Sequence, residues 1–404
     1  MCSTDRMVSL HASRAIDMLR RMSAKAEAFH QAKNARQLRS TITAEFPLLI
    51  GLVTAGIFLA LGSRLNELTT ETLPLVGVFL WLFAVILWSA ICVVRHADCL
   101  AIKLGEPYGT LILTLSAISI EVVMISTAML HGANNPTLGR DAIFAVIMIA
   151  LNGLVGLSLL LGGLRYREQH YNIQGVNAYL NVIMALAVLG LVLPNFTTST
   201  SGPTFSTEQE IFLTTVSLLL YSIFLLIQTL RHRGYFLDST QTTGRHSPHH
   251  VLQTRSTGFH ALMLLSYLGV VILLAEKFAI PLDNSIEKFG MPQAFGGAII
   301  AALVLSPEGL GGITASMENE LQRSINILFG SVLATIGLTI PAVLMIGMLT
   351  KRPVALGLQG GNLPLLLLTL AVSVVTFTSR KTNVLQGCIH LLLFAVFALL
   401  IFAP

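Results

Sequence analysis

Eleven long apolar runs constrain this chain more than any other feature. They fall at roughly 42–62, 73–94, 108–130, 141–163, 178–196, 210–230, 258–280, 291–313, 325–348, 361–378 and 384–403. An α-helix needs about 20 apolar residues to cross the hydrocarbon core of a bilayer. Each run reaches or approaches that length, so the pattern predicts an all-α polytopic membrane protein with about 11 transmembrane helices. The eighth run is the most interrupted, by Pro292, Pro307 and several glycines. Composition agrees: 54% of residues are hydrophobic and 11% charged, against about 25% charged in soluble domains. So few charges cannot cover a water-exposed surface. The expected partner of such a surface is membrane lipid.

The basic residues sort by side. With the N-terminus cytoplasmic, the inside segments hold 19 Lys and Arg and the outside segments 6. This positive-inside bias predicts a cytoplasmic N-terminus, a periplasmic C-terminus and an odd number of spans. It also assigns the net charge of +5 to membrane-flanking loops, so no nucleic-acid surface is expected. The first forty residues are polar and lack the apolar core of a signal peptide. Residues 1–41 read as a cytoplasmic basic segment, with 12–39 a partly amphipathic helix resting near anionic headgroups. Residues 42–72 hold the first helix and its loop. The stretch 231–257, with His246, His249 and His250, reads as a flexible cytoplasmic linker. Cys92, His96 and Cys99 lie together in sequence without a fourth metal ligand nearby, and read as ordinary reduced residues near a helix end.

Two distant segments match. LGEPYGTLILTLSAISIEVVM (104–124) aligns with MPQAFGGAIIAALVLSPEGLG (291–311) at a shift of 187 residues. Gly109 meets Gly296, Ile112 meets Ile299, Ser119 meets Ser306 and Glu121 meets Glu308; Tyr108 meets Phe295. Each copy is followed by a helix rich in small residues, at 150–163 and 327–341. The copies begin at the third and eighth runs, five spans apart. Five is odd, so they run in opposite directions through the bilayer. That is an inverted-topology repeat, the device by which many secondary transporters build alternating access.

The match includes the two ionisable residues. A carboxylate within a membrane helix costs at least about 2.5–3.5 kcal/mol on insertion scales and marks a functional site by default. Glu308 lies between Pro307 and Gly309, which predicts a break in its helix there and carbonyls freed to line a cavity. Glu121 and Glu308 are the candidate ion- and proton-binding residues and the candidate metal ligands. Ser119, Ser306 and Asn152 are candidates to complete an oxygen shell, which for Ca²⁺ numbers about six to eight. Ser119 and Glu121 are two apart and face different sides of a regular helix. Desolvated carboxylates take up protons when no cation is bound, so one site holds cation or protons in turn. Glu276 and Lys277, near the end of the seventh run, read as a snorkelling interfacial pair. Enzyme chemistry has no foothold: no HExxH or GxSxG motif and no Asp-rich helix end occurs. No cofactor is expected beyond the transported ions, and inorganic cations are the expected partners of the glutamate site.

The segments RHADCLAIKLGEPYGTLILTLSAISIEVVMI (95–125) and LVLSPEGLGGITASMENELQRSINILFGSVLATIGLTIPAV (303–343) resemble the two repeats of the Ca²⁺/cation antiporter superfamily. They are most similar to the bacterial calcium/proton branch, which also includes sodium-potassium/proton antiporters. The resemblance implies one N-terminal helix followed by two inverted five-helix halves, 73–230 and 258–404 (the last helix ending at about 403). It implies an essential acid in each half, at Glu121 and Glu308. It further implies that the small-residue helices carrying Asn152–Gly153 and Gly330–Ser331 help to line the ion site. The expected activity is antiport of Ca²⁺ against H⁺ across a bacterial cytoplasmic (inner) membrane, with Na⁺ or K⁺ as the alternative cation. The chain departs from the family in two ways. The acidic stretch that plant and fungal relatives carry between the halves is replaced by a basic, His-bearing loop. Their GNxxE signature reads SAISIE at 116–121 and VLSPE at 304–308, so it does not select among the cations.

Overall fold

The computed structural model describes residues 45–68, 71–105, 108–131, 136–237 and 255–403. The basic N-terminal helix and the three linker histidines lie outside them. The chain divides into a unit of residues 1–50, described only from Glu45, and a unit of 51–404. Eleven apolar helices are described: α1 (Phe46–Leu68), α2 (Thr72–Leu104), α3 (Tyr108–His131), α4 (Leu138–Tyr166), α5 (Ile173–Asn195), α6 (Thr207–Arg231), α7 (Thr257–Lys288), α8 (Ala294–Met317), α9 (Leu321–Thr350), α10 (Asn362–Thr376) and α11 (Val384–Phe402). Among the described residues nine satisfy the length and hydropathy of a membrane span, and α10 and the Phe46–Gly62 part of α1 are shorter apolar stretches. Among the described residues, strand structure is confined to two residue pairs, β1 (Gln169–His170) and β2 (Lys381–Thr382), paired antiparallel.

Two helices outrun their apolar sequence. α2 has 33 residues and α7 has 32, about 50 Å at 1.5 Å per residue. The apolar pattern in α2 fades at Arg95, yet the helix continues to Gly105, whose φ of 68° stops it. Continuation is favoured because the polar residues past 94 find partners. His96 is fully buried, and its Nδ1 lies 3.0 Å from Nδ1 of buried His260 on α7. Burial of paired polar groups costs little compared with burial of orphans. α2 and α7 form the most extensive helix pairing among the described residues. Lys277 Nζ lies 2.7 Å from Glu276 Oε1 on α7, both partly exposed, as an interfacial pair requires.

The expected break at Glu308 does not occur. α8 runs unbroken through Pro307. Proline removes one i→i−4 bond, but a membrane helix tolerates this where its neighbours hold it in place. Here they do. A Cβ on Gly297 would come within 2.6 Å of Ala142 N on α4, and one on Gly309 within 2.9 Å of Leu154. Gly312 meets Leu328 of α9 in the same way. α8 is thus clamped on both sides of the proline. The irregular backbone lies elsewhere: α5 and α6 widen into π turns at Val188–Val192 and Ile227–Arg231, and α4 and α9 at Ile149–Leu154 and Thr335–Thr339. The last two matter for the site. These are the helices that follow the two glutamate-bearing ones.

Close backbone approach also joins α4 to α11. A Cβ on Gly387 would meet Leu160 N at 2.6 Å and Gly156 O at 2.9 Å. At one end of the bundle an extended segment, 353–358, runs between α9 and α10 with Val354–Leu358 buried. It is held by Ala355 N to Pro136 O, Gly357 N to Pro203 O and Leu358 N to Leu191 O. Arg140 adds a bond to Gly357 O while paired with Asp141 at 2.8 Å. Small-residue contacts replace the hydrophobic driving force that lipid cannot supply. Gly387→Leu should therefore lower the midpoint of thermal unfolding in detergent by several degrees, since overpacking costs about 1–3 kcal/mol. Gly269→Leu, at a position with nothing within 4 Å of a Cβ, should leave it nearly unchanged.

Candidate ion site

Glu121 lies on the inward face of α3 with Ile118, Met124, Ile125 and Ala128, all buried. The 3.6-residue period puts these positions on one stripe. The carboxyl is 3% exposed. Its Oε2 accepts a hydrogen bond of 2.8 Å from Thr335 Oγ1, at the start of the π turn of α9. Thr339, four residues on in that turn, also lies beside the carboxyl; its hydroxyl is buried and unbonded. Glu308 of α8 is within Coulombic reach of Glu121, and Asp98 of α2 within reach of Glu308. Oε1 of Glu121 and Oε2 of Glu308 are buried and accept no hydrogen bond. Among the described residues neither glutamate is in a salt bridge. The arrangement offers hard oxygen atoms, carboxylate and hydroxyl, in a buried space without a compensating cation. That donor set suits a hard cation such as Ca²⁺.

The structure places the two glutamates within Coulombic reach of each other but sorts the other candidates differently. Ser119 donates to Leu115 O and Ser306 to Ala302 O, so both hydroxyls are bonded back to their own helices. Asn152 lies in the π turn of α4, yet its amide faces the α10–α11 side. Its Nδ2 donates to Thr369 Oγ1 at 2.9 Å, and its Oδ1 lies 3.2 Å from His390 Nδ1. Gly153 packs against the Phe394 ring of α11. Gly330 and Ser331 lie on α9 about one turn before Thr335, both half-buried. Sequence reasoning missed Thr335, Thr339 and Asp98. For the threonines a signal was present: the 187-residue shift that aligns the glutamates sets Thr339 opposite Asn152 and Thr335 opposite Met148. Asp98 lay beyond the expected end of its span.

One buried and one half-buried glutamate, on helices that are each followed by one with a widened turn, are one element of the answer; the sequence as a whole supplies the other. The sodium/calcium exchanger protein family matches residues 74–230 and 259–403, most of the chain. The chain belongs to that family. A Sinorhizobium fredii relative named for ionic transport is 43% identical over 312 residues, 77% of this chain and 84% of the relative. The sodium-potassium/proton antiporter of Escherichia coli is 38% identical over 373 residues, 92% of this chain and 100% of the relative. In fold, this family member is similar to a crystal structure of the Ca²⁺/H⁺ antiporter protein YfkE. The TM-score is 0.65 at 17% identity, covering 89% of this chain and 99% of that one. Those matches run through all the helices from α2 to α11 and make it a multi-pass membrane protein.

Proposed function

We propose that this exchanger-family chain is a cation/proton antiporter in which Glu121 and Glu308 form one carboxylate site, filled by the cation or by protons in turn. The observation that carries the reading is the pair itself: two carboxyls within Coulombic reach, each with an unbonded buried oxygen. Two like charges in a desolvated space are stable only when a cation sits between them or protons neutralise them. Occupancy by one excludes the other, and exchange follows from that competition. Thr335 supplies a hydroxyl from the opposite half of the chain, so one bound ion contacts α3, α8 and α9 together. Asp98, nearer the end of α2, adds negative potential on the approach to Glu308.

Two negative charges balance one divalent ion, which supports Ca²⁺ as the exchanged cation. Na⁺ or K⁺ is the second reading, supported by the name of the Escherichia coli relative, a sodium-potassium/proton antiporter. The excess of Lys and Arg on one side supports a bacterial inner-membrane protein with the N-terminus in the cytoplasm. The 353–358 segment then closes the outer end. Inside-out vesicles loaded with a proton-gradient dye, challenged with each cation separately, decide between the cations.

Glu121→Gln and Glu308→Gln should each reduce exchange by at least about a hundredfold with normal insertion, because Gln keeps the size and loses the charge that binds the ion. Near-normal flux in either variant would sink the shared-site mechanism. Thr335→Val removes a hydrogen bond to a charged group, worth about 1.5–3 kcal/mol, and should raise the apparent KM for the cation about tenfold. An unchanged KM would remove Thr335 from the site. Cation affinity of the purified protein should fall steeply as pH drops from about 9 to about 5, since protons displace the ion from its ligands. A flat profile in a transport-competent preparation would exclude direct competition.

A further inference from the structure

His390 is the one imidazole in α11, set among Leu and Phe positions, and it is fully buried. Leu would fill such a place without the cost of stripping water from a polar ring. The ring is nevertheless fully used. Asn152 Oδ1, which can only accept, lies 3.2 Å from Nδ1, and the Leu151 backbone of the same π turn also bonds the ring; both acceptors are served with the proton on Nδ1. Nε2 is then bare and accepts from Thr376 Oγ1 at 3.1 Å. The chain of donors continues without a change of direction: Asn152 Nδ2 donates to Thr369 Oγ1 at 2.9 Å, and the Thr369 hydroxyl points at Met148 Sδ, 3.7 Å away. Bonds aligned this way polarise one another in a low-dielectric interior. The network starts and ends on α10 and α4, and its central link is the one polar side chain of the π turn Ile149–Leu154.

That turn is placed between two neighbours. On one side Gly153 and Gly156 pack on Phe394, His390 and Leu391 of α11. On the other, Leu154 packs on Gly309 of α8, the residue next to Glu308. A π turn inserts one residue more than a regular helix holds, and such turns frequently sit at functional sites. Holding Asn152 fixes where the widened backbone sits relative to Glu308. We propose that His390 is a positioning residue for the ion site: acting through Asn152, it pins the π turn of α4 and so sets the geometry in which Glu308 meets the cation. The inference rests on the reading of Glu308 as a cation ligand.

The test compares His390→Leu, His390→Gln, Thr369→Val and the double variant His390→Leu/Asn152→Leu in proteoliposomes. KM and maximal rate are measured with Ca²⁺ and with Na⁺, alongside binding of the same ions to the purified protein. His390→Leu should raise KM about tenfold and weaken binding equally, with the maximal rate within about twofold of wild type. His390→Gln, whose amide can donate to Asn152 and accept from Thr376, should restore KM to within about twofold. The double variant should be no worse than His390→Leu, because the histidine acts through the asparagine. If His390→Leu fails to insert, Thr369→Val, which frees the other side of the Asn152 amide, should show the raised KM on its own. An unchanged KM, a loss confined to maximal rate, failure of Gln to rescue, or additive losses in the double variant would each overturn the proposal. Glu308→Gln in the same assay keeps the two readings apart. If it exchanges normally, the carboxylate site fails; if it is inactive while His390→Leu keeps a wild-type KM, only the role of His390 fails.

Discussion

The hydrogen bond from Thr335 to Glu121 spans 214 positions of sequence and ties α3 to α9. It depends on α3 and α9 meeting at membrane depth, which in turn depends on the widened turn that brings Thr335 and Thr339 to the carboxyl. An isolated carboxylate in hydrocarbon would protonate or drag water inward. Glu121 instead receives a hydroxyl from a neighbouring helix and lies within Coulombic reach of a second carboxylate, which is what the proposed exchange of proton for ion requires. The remainder of the bundle serves to keep these groups within reach while excluding lipid from them.

That task falls to small residues. Gly297, Gly309 and Gly312 hold α8 against α4 and α9, and Gly156 and Gly387 bring α4 onto α11. With contacts this close, Pro307 does not break α8, and Glu308 stays on a continuous helix. Irregular backbone lies instead in π turns of α4, α5, α6 and α9. The turns of α4 and α9 are not dressed alike. In α9 the hydroxyl of Thr335 faces Glu121. In α4 the side chain of Asn152 turns to α10 and α11, leaving Glu308 without a comparable donor among the described residues. An ion bound between the carboxyls would experience two chemically unequal walls.

Much of this was legible from particular residues. The eleven apolar runs correspond to the eleven helices because burying a backbone in lipid requires each span to satisfy its own hydrogen bonds. The glutamates stood out because a carboxylate in an apolar run is expensive and rarely accidental. Asn152 did not follow its expected role, since a side-chain amide goes to whichever partners the neighbouring helices present. Ser119 and Ser306 turned back to their own carbonyls, an option always open to a helical serine.

Sequence alone determined that the chain crosses a membrane repeatedly, that two acids hold matched positions in two similar segments, and that helices rich in small residues follow each of them. Those properties are local: they depend on hydropathy, charge cost and spacing along one helix. Tertiary structure alone decided that α8 stays unbroken, that Thr335 rather than a serine donates to Glu121, that Asp98 approaches Glu308, and that His390 holds Asn152. Each of these depends on which faces of distant helices meet. A contact such as Gly297 on Ala142 or Leu154 on Gly309 is set by the summed packing of the bundle, which no single segment encodes.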